Sequence, residues 1–99
     1  MIAVFVRFRF EDGVDHAAVT AIAERAKGQF EGLPGLRSKA FTIDEAGREA
    51  TNVYLWDSEE AARAFFDDAL VERVTGLYGV RPSVTFADVP ALVDNARLP

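Results

Sequence analysis

The segment ATNVYLWDSEEAARAFF contains the side chains of this sequence that are best suited to chemistry. Asn52, Tyr54 and Trp56 alternate with Val53 and Leu55, so on a β-strand the first three share one face. Their amide, phenol and indole groups donate hydrogen bonds, and such donors can position a polar ring and stabilise a developing oxyanion. We therefore predict these three residues as the catalytic set. Packing in a dimer interface is the alternative for the two aromatic residues.

The apolar segment IAVFVRFRF supplies a second group of candidates. Alternation places Phe5, Arg7 and Arg9 on one face of this strand, and we predict that they share a sheet face with the catalytic set. We predict that these three residues bind substrate, together with Phe65 of the second predicted helix. Arg7 or Arg9 would pair with an anionic group of the substrate. Ion pairing of the arginines with acidic side chains of a partner subunit is the alternative.

Composition restricts the class of protein. A chain of 99 residues fits one domain, predicted over residues 1–99, and its 49% hydrophobic content is that of a folded protein. The net charge of -5 argues against a nucleic-acid partner, because such domains usually display a basic patch. The longest apolar run, Ile2 to Val6, is too short for a membrane span, so we expect no membrane partner and a cytoplasmic location.

The sequence predicts no cofactor and no metal. It has no cysteine, one histidine, no glycine-rich dinucleotide fingerprint and no cluster of His and carboxylate residues at metal-ligand spacing. The single histidine, His16, falls near the start of a predicted helix, where a solvated or capping role is the alternative to catalysis. Any oxygen chemistry would therefore have to draw its electrons from the substrate.

The periodicity of the apolar residues predicts the order β-α-β-β-α-β. This order is typical of an α+β, ferredoxin-like fold, in which two helices cover one face of a four-stranded antiparallel sheet. Pro82 favours an edge position or a bulge in the last strand, and a short helix could follow Pro90. The predicted elements are a strand from Ile2 to Phe10, a helix from a cap at Asp15 to Phe30, strands Leu36 to Ile43 and Glu49 to Trp56, a helix from Asp57 or Ser58 to Gly79 with a bend, and a strand in VRPSVTFADV.

The two faces of this sheet are predicted to differ. Val4, Val6, Phe8, Val53 and Leu55 suit the face under the helices. The opposite face would then be open and too apolar for a monomer, which predicts a homodimer through the sheet face. By alternation the open face carries Ala3, Phe5, Arg7, Arg9, Asn52, Tyr54, Trp56, Ser83, Thr85 and Ala87.

The second strand does not alternate cleanly. Arg37 and Lys39 share a side with Phe41 and Ile43, so neither side is wholly apolar. A bulge between Ser38 and Ala40 would resolve the conflict, although no local signal requires one.

Five segments taken together, in this order and spacing, resemble one known family: RFRF, LPGLRSKAFT, REATNVYLW, DSEEAARAFF and GVRPSVTFADVPALVDNARL. The chain resembles the YdhR-like monooxygenases, a branch of the dimeric α/β-barrel superfamily that also contains the antibiotic biosynthesis monooxygenases. The resemblance implies protomers that pair sheet to sheet, with a cavity between sheet and helices in each subunit. It also implies cofactor-independent oxidation of a small aromatic or quinol-like molecule by molecular oxygen.

One position departs from the wider superfamily. Some superfamily members, to judge from the resemblance, have a histidine in the second helix, about nine residues after the tryptophan that ends the strand. This chain has Phe65 at that position. The resemblance therefore implies no haem ligation at that position. The alternatives are a non-redox isomerase or lyase that uses the same cavity, and a ligand-binding or purely structural homodimer without catalysis.

Overall fold

The computed structural model describes residues 1–97 and has the predicted element order, with the second helix divided into two. A 3₁₀ turn, Lys27–Gln29, continues the first helix. After Pro90 the predicted terminal helix is reduced to a 3₁₀ turn at Asn95–Arg97, and the last two residues lie outside the described range. The helices and strands are β1 (Ile2–Arg9), α1 (His16–Ala26), β2 (Leu36–Asp44), β3 (Glu49–Trp56), α2 (Glu59–Phe65), α3 (Asp68–Tyr78) and β4 (Ser83–Asp88).

The four strands form one antiparallel sheet in the order β2-β3-β1-β4. The helices cover one face of it, so the predicted α+β, ferredoxin-like fold is confirmed. Pro82 immediately precedes β4, which lies at an edge of the sheet as predicted. At this edge the missing N–H of a proline removes no ladder hydrogen bond.

Short polar side chains fix where each helix begins. Asp15, Ser58 and Asp67 each accept a hydrogen bond from the backbone N–H three residues later, at 3.0, 3.1 and 2.9 Å. The cap predicted at Asp15 is confirmed, and Ser58 is the cap of the second helical region. Asp67 starts α3 afresh after α2 ends, which accounts for the predicted bend.

The facing of β3 differs from the prediction. Val4 pairs with Tyr54 and Val6 with Asn52, and directly paired residues of antiparallel strands point to the same face. Asn52, Tyr54 and Trp56 are therefore buried under the helices of their own chain, with 4%, 3% and 2% of their surface exposed. The prediction that Val53 and Leu55 face the helices is wrong. Alternation shows which residues share a face but not which face is covered, and the large aromatic rings bury more apolar surface there.

The irregularity predicted in β2 is present, one residue earlier than expected. The register with β3 shifts between Leu36 and Ser38, so Arg37 is the additional residue. After this shift Lys39 pairs with Tyr54 and faces the helices, followed on the same side by Phe41. The bulge thus brings a lysine into the covered face of the sheet.

Candidate functional site

A small cavity lies between the covered face of β2 and β3 and the helices α1 and α3. It contains about 50 Å³ of free space. Its walls are mostly apolar, and its polar side chains come from β2, β3, α3 and the 3₁₀ turn after α1. The residues that line it are Ile22, Ala26, Gln29, Phe30, Lys39, Phe41, Asn52, Tyr54, Leu70, Arg73, Val74, Leu77 and Tyr78.

A hydrogen-bonded pair, Asn52 and Tyr78, forms one end of the cavity. The Asn52 Nδ2 donates to the Tyr78 hydroxyl oxygen at 3.2 Å. Tyr78 is the last residue of α3, and its ring stacks on Phe8 of β1 with 3.7 Å between the ring centroids. Because the Tyr78 oxygen accepts from Asn52, its own hydroxyl hydrogen is available to donate to a ligand.

Tyr54 places a second phenol beside this pair. Burial raises the pKa of Tyr54 well above its usual range, the neighbouring Tyr78 adds to the increase, and the Asn52 side chain opposes it. Burial also raises the pKa of Tyr78, again with Asn52 acting in the opposite direction. Both phenols therefore keep their protons at neutral pH and act as hydrogen-bond donors.

Lys39 is the one amine among the residues that line the cavity. Its Nζ lies 3.4 Å from the ring centroid of Phe30, 4.1 Å from that of Phe41 and 4.4 Å from that of Tyr54. Burial lowers the pKa of Lys39 to about 7. The amine and ammonium forms are thus both populated near neutral pH, which is the condition for transferring protons there.

Trp56 and Phe65 lie behind Tyr54 and do not line the cavity. The Trp56 ring stacks on Tyr54 at 6.3 Å and contacts Phe65 at 5.1 Å between centroids. The Trp56 Nε1–H is buried and has no hydrogen-bond partner among the described residues. A buried donor without a partner costs free energy, so this group is available to an acceptor that is brought to it.

Three of the predicted substrate-binding residues lie on the opposite face of the sheet. Phe5 is half-buried there, while Arg7 and Arg9 are exposed and each lies 3.5 Å from a carboxylate oxygen of Glu49. The sheet separates them from the cavity. The expectation that they share a face with Asn52, Tyr54 and Trp56 is therefore wrong, for the reason given for β3.

The cavity has four polar side chains that were not predicted as site residues, Gln29, Lys39, Arg73 and Tyr78. The signal for Lys39 was its alternation with Phe41, which marks it as facing the same way as a core residue. Tyr78 follows Val74 at helical spacing, but its partner Asn52 is 26 residues away, and no local pattern connects them.

An open groove adjoins the cavity. It has a volume of about 330 Å³ and is lined by nine residues of β2 and of the turn after α1. Phe30, Lys39 and Phe41 line both spaces, so their side chains form the wall between groove and cavity. Movement of this wall would join the two.

Within residues 1–97 no group of three or more His, Asp or Glu side chains is arranged to hold a metal ion. None of the helices described is long and apolar enough to cross a membrane.

The fold is similar to that of several solved structures, among them proteins described as putative antibiotic biosynthesis monooxygenases. A monooxygenase from the gene ActVA-Orf6 of Streptomyces coelicolor, solved with the ligand nanaomycin D, has a TM-score of 0.67 and 21% identity over 93% of this chain and 89% of its own. SnoaB, a cofactor-independent oxygenase from Streptomyces nogalater, has a TM-score of 0.66 and 14% identity over 93% and 95% of the two chains. Rv0793 from Mycobacterium tuberculosis has a TM-score of 0.62 and 19% identity over 96% and 97%.

No protein-family profile matches the chain, and no curated protein sequence matches it. The similarity to the solved structures, at these identities, establishes the shared fold.

Proposed function

We propose that this protein is a cofactor-independent monooxygenase of the YdhR-like branch that oxidises a small phenolic or quinol-like ring with molecular oxygen. The observation that carries the proposal is the Asn52–Tyr78 pair, which presents a hydroxyl donor beside the Tyr54 phenol in a cavity with aromatic walls. Similarity to SnoaB, a cofactor-independent oxygenase of the same fold, supports it.

The ligand site of this proposal consists of the cavity and the adjoining groove. The cavity alone, at about 50 Å³, is smaller than the ligand pockets of proteins, which start at about 300 Å³. The groove of about 330 Å³ provides the missing space. An aromatic ligand therefore enters from the groove by displacing Lys39 and Phe30, and its hydroxyl then reaches the Asn52–Tyr78 pair.

The proposed reaction draws all of its electrons from the substrate. A phenol with a ring C–H para to its hydroxyl gives up four electrons to one oxygen molecule. One oxygen atom becomes the second carbonyl of the quinone product, and the other leaves as water with the two hydrogens that the substrate loses. The Tyr54 and Tyr78 hydroxyls stabilise the phenolate that forms on the way, because preformed donors in a buried site need little reorganisation.

The unpaired Trp56 N–H is a donor for the same chemistry. It lies directly behind the Tyr54 ring, with 15° between the two ring planes. In this proposal a ligand oxygen that reaches the edge of the indole gives the N–H an acceptor, which relieves the cost of a buried unpaired donor. Phe65, packed against the indole, holds it in place.

The open face of the sheet is the proposed homodimer interface. Ala3, Phe5, Val53 and Leu55 are only half-buried there and form its apolar centre. Arg7, Arg9 and Glu49 lie together at one end of this face, where their charges are paired within the chain. The half-buried apolar centre is the part of the face that a second copy would cover.

Oxygen uptake with 1,5-dihydroxynaphthalene tests the proposed activity. We expect consumption of one oxygen molecule per ring, formation of the hydroxynaphthoquinone, and one atom of isotopically labelled oxygen in the product. Replacing Asn52 with alanine should lower the rate by up to about a hundredfold, the usual effect of losing one oxyanion donor, because Asn52 orients the Tyr78 hydroxyl that serves as that donor. The matched control is Asn95→Ala, which removes an exposed asparagine and should leave the rate unchanged.

Each other outcome identifies one of the alternatives. Turnover that continues in the absence of oxygen would indicate the isomerase or lyase. Binding of the ring, seen as a higher melting temperature without any turnover, would indicate a ligand-binding dimer. Equal rates for the protein and for Asn52→Ala would contradict the role of the Asn52–Tyr78 pair.

A further inference from the structure

We propose that Lys39 takes the proton from an acidic phenol or enol bound in the cavity and pairs, as the ammonium, with the anion that forms. The inference names the acid–base residue of the proposed oxygenase and rests on that function. It also names the substrate class, a ring whose hydroxyl ionises easily.

Aromatic rings surround the Lys39 amine. Three aromatic rings approach its Nζ, and none of the five ion pairs among the described residues includes it. Ring faces attract an ammonium group, but they supply no proton acceptor and no full negative charge. A half-buried amine is therefore held beside the ligand space without a carboxylate.

The charges around the amine point to an anionic ligand. Arg73, which lines the same cavity, also takes part in none of those five pairs. Positive charge thus gathers at this site in a protein whose net charge is -5. The charged and titratable groups that face the groove and cavity are Lys27 and Glu31 beside α1, Arg37 on β2, Tyr54 on β3, and Arg73 and Tyr78 on α3.

Lys39 lies on the path from the groove to the hydroxyl donors of the cavity. Lys39 lies in the wall between groove and cavity, so a ring that enters from the groove must pass its amine. Lys39 is paired in register with Tyr54, whose phenol lies beside the Asn52–Tyr78 pair. An amine on one side and hydroxyl donors on the other are the two groups needed to hold a phenolate oxygen.

The proton transfer is balanced within the site. The O–H bond of the phenol breaks, its electron pair stays on oxygen, and a new N–H bond forms on the neutral Lys39 amine. No further reactant is needed. Because burial lowers the pKa of Lys39 to about 7, the amine form that this step requires is populated near neutral pH.

Binding of 2-hydroxy-1,4-naphthoquinone tests the inference without turnover. This probe is already a quinone, and near neutral pH it is an anion that requires the ammonium form of Lys39. We expect its affinity for the protein to fall about tenfold per pH unit above about pH 7, as Lys39 loses its proton. 1,4-Naphthoquinone, which lacks the ionised hydroxyl, is the matched ligand and should bind with no such dependence.

Two variants separate charge from proton transfer. Lys39→Met should bind the hydroxynaphthoquinone at least about tenfold more weakly at pH 6, with no pH dependence. Lys39→Arg keeps the charge but cannot give up its proton, so it should bind the anion at every pH and lose about a hundredfold in oxygen uptake. Thermal melting of both variants checks that they fold, and the pH series on the unchanged protein needs neither of them.

Several results would overturn the inference. The first is an affinity of the unsubstituted protein for hydroxynaphthoquinone that does not vary with pH. The second is binding of this anion by Lys39→Met as tight as that of the unsubstituted protein. The third is full oxygen uptake by Lys39→Arg. The two proposals can also fail separately. If dihydroxynaphthalene is not oxidised but anion binding follows Lys39 as described, the oxygenase fails and the Lys39 site stands. If Lys39→Met oxidises dihydroxynaphthalene at the full rate, the inference fails and the oxygenase stands.

Discussion

At the scale of single residues, burial acts in opposite directions on the acids and the base around the cavity. It raises the pKa of Tyr54 and Tyr78 and lowers the pKa of Lys39. Each change favours the neutral form, because charge is poorly solvated there. A neutral phenol therefore meets two neutral hydroxyls and an amine that is partly neutral near pH 7. Negative charge develops on the ligand only when its proton moves, and the hydroxyl donors are already in place to stabilise it.

The lowered pKa of Lys39 makes the stability of the fold depend on pH. The pKa of Lys39 is about 7 in the folded protein and 10.5 in the unfolded chain. Between these two pH values the unfolded chain binds a proton that the folded protein does not, so the folded protein loses stability as the pH falls from about 10.5 towards 7. The free energy of unfolding should therefore rise between about pH 7 and pH 9.5, and Lys39→Met should remove this increase. Denaturant titrations at each pH measure it.

The control for this experiment is Lys27→Met, which removes the other lysine of the chain from an exposed position. If Lys27→Met also lost the increase, the effect would not be specific to the half-buried Lys39. A Lys39→Met profile parallel to that of the unchanged protein would show that burial does not disfavour the ammonium.

At the scale of the elements, the end of α3 positions the Tyr78 hydroxyl. Gly79 closes this helix with φ of 81°, a conformation that costs other residues about 1 kcal/mol or more. We expect Gly79→Ala to lower the free energy of unfolding by about 1 kcal/mol and to weaken binding of hydroxynaphthoquinone as Tyr78 shifts. Equilibrium unfolding and titration of the probe measure the two effects.

Gly76 provides a matched control within the same helix. It lies in the interior of α3, and a Cβ added there meets no atom within 4 Å. Gly76→Ala should therefore raise the free energy of unfolding by about 1 kcal/mol, because alanine is the better helix former. Equal effects of the two substitutions would contradict the special role of the helix end.

The sequence was sufficient for the elements of the fold but not for the orientation of the site. Caps and periodicity are local, and the predictions at Asp15 and over β3 agree with the structure. The facing of β3 depends on its register with β1, and alternation alone leaves two choices. The Asn52–Tyr78 pair joins a strand to a distant helix, so it could be found only after the chain was folded.

At the scale of the whole molecule, the sheet separates the proposed dimer interface from the cavity. Val53 lies half-buried near the middle of the open face, paired with Phe5, while Asn52 beside it points into the core. Val53→Asp should therefore convert a dimer into a monomer, since two buried carboxylates would face each other near the twofold axis. Light scattering gives the molar mass, and Ala21→Asp on the exposed side of α1 is the control.

The monomer should still bind hydroxynaphthoquinone with unchanged affinity, because every group of the Lys39 site belongs to one chain. Lost binding in a folded monomer would mean that the second copy helps to form the cavity, and an unchanged molar mass would place the interface elsewhere.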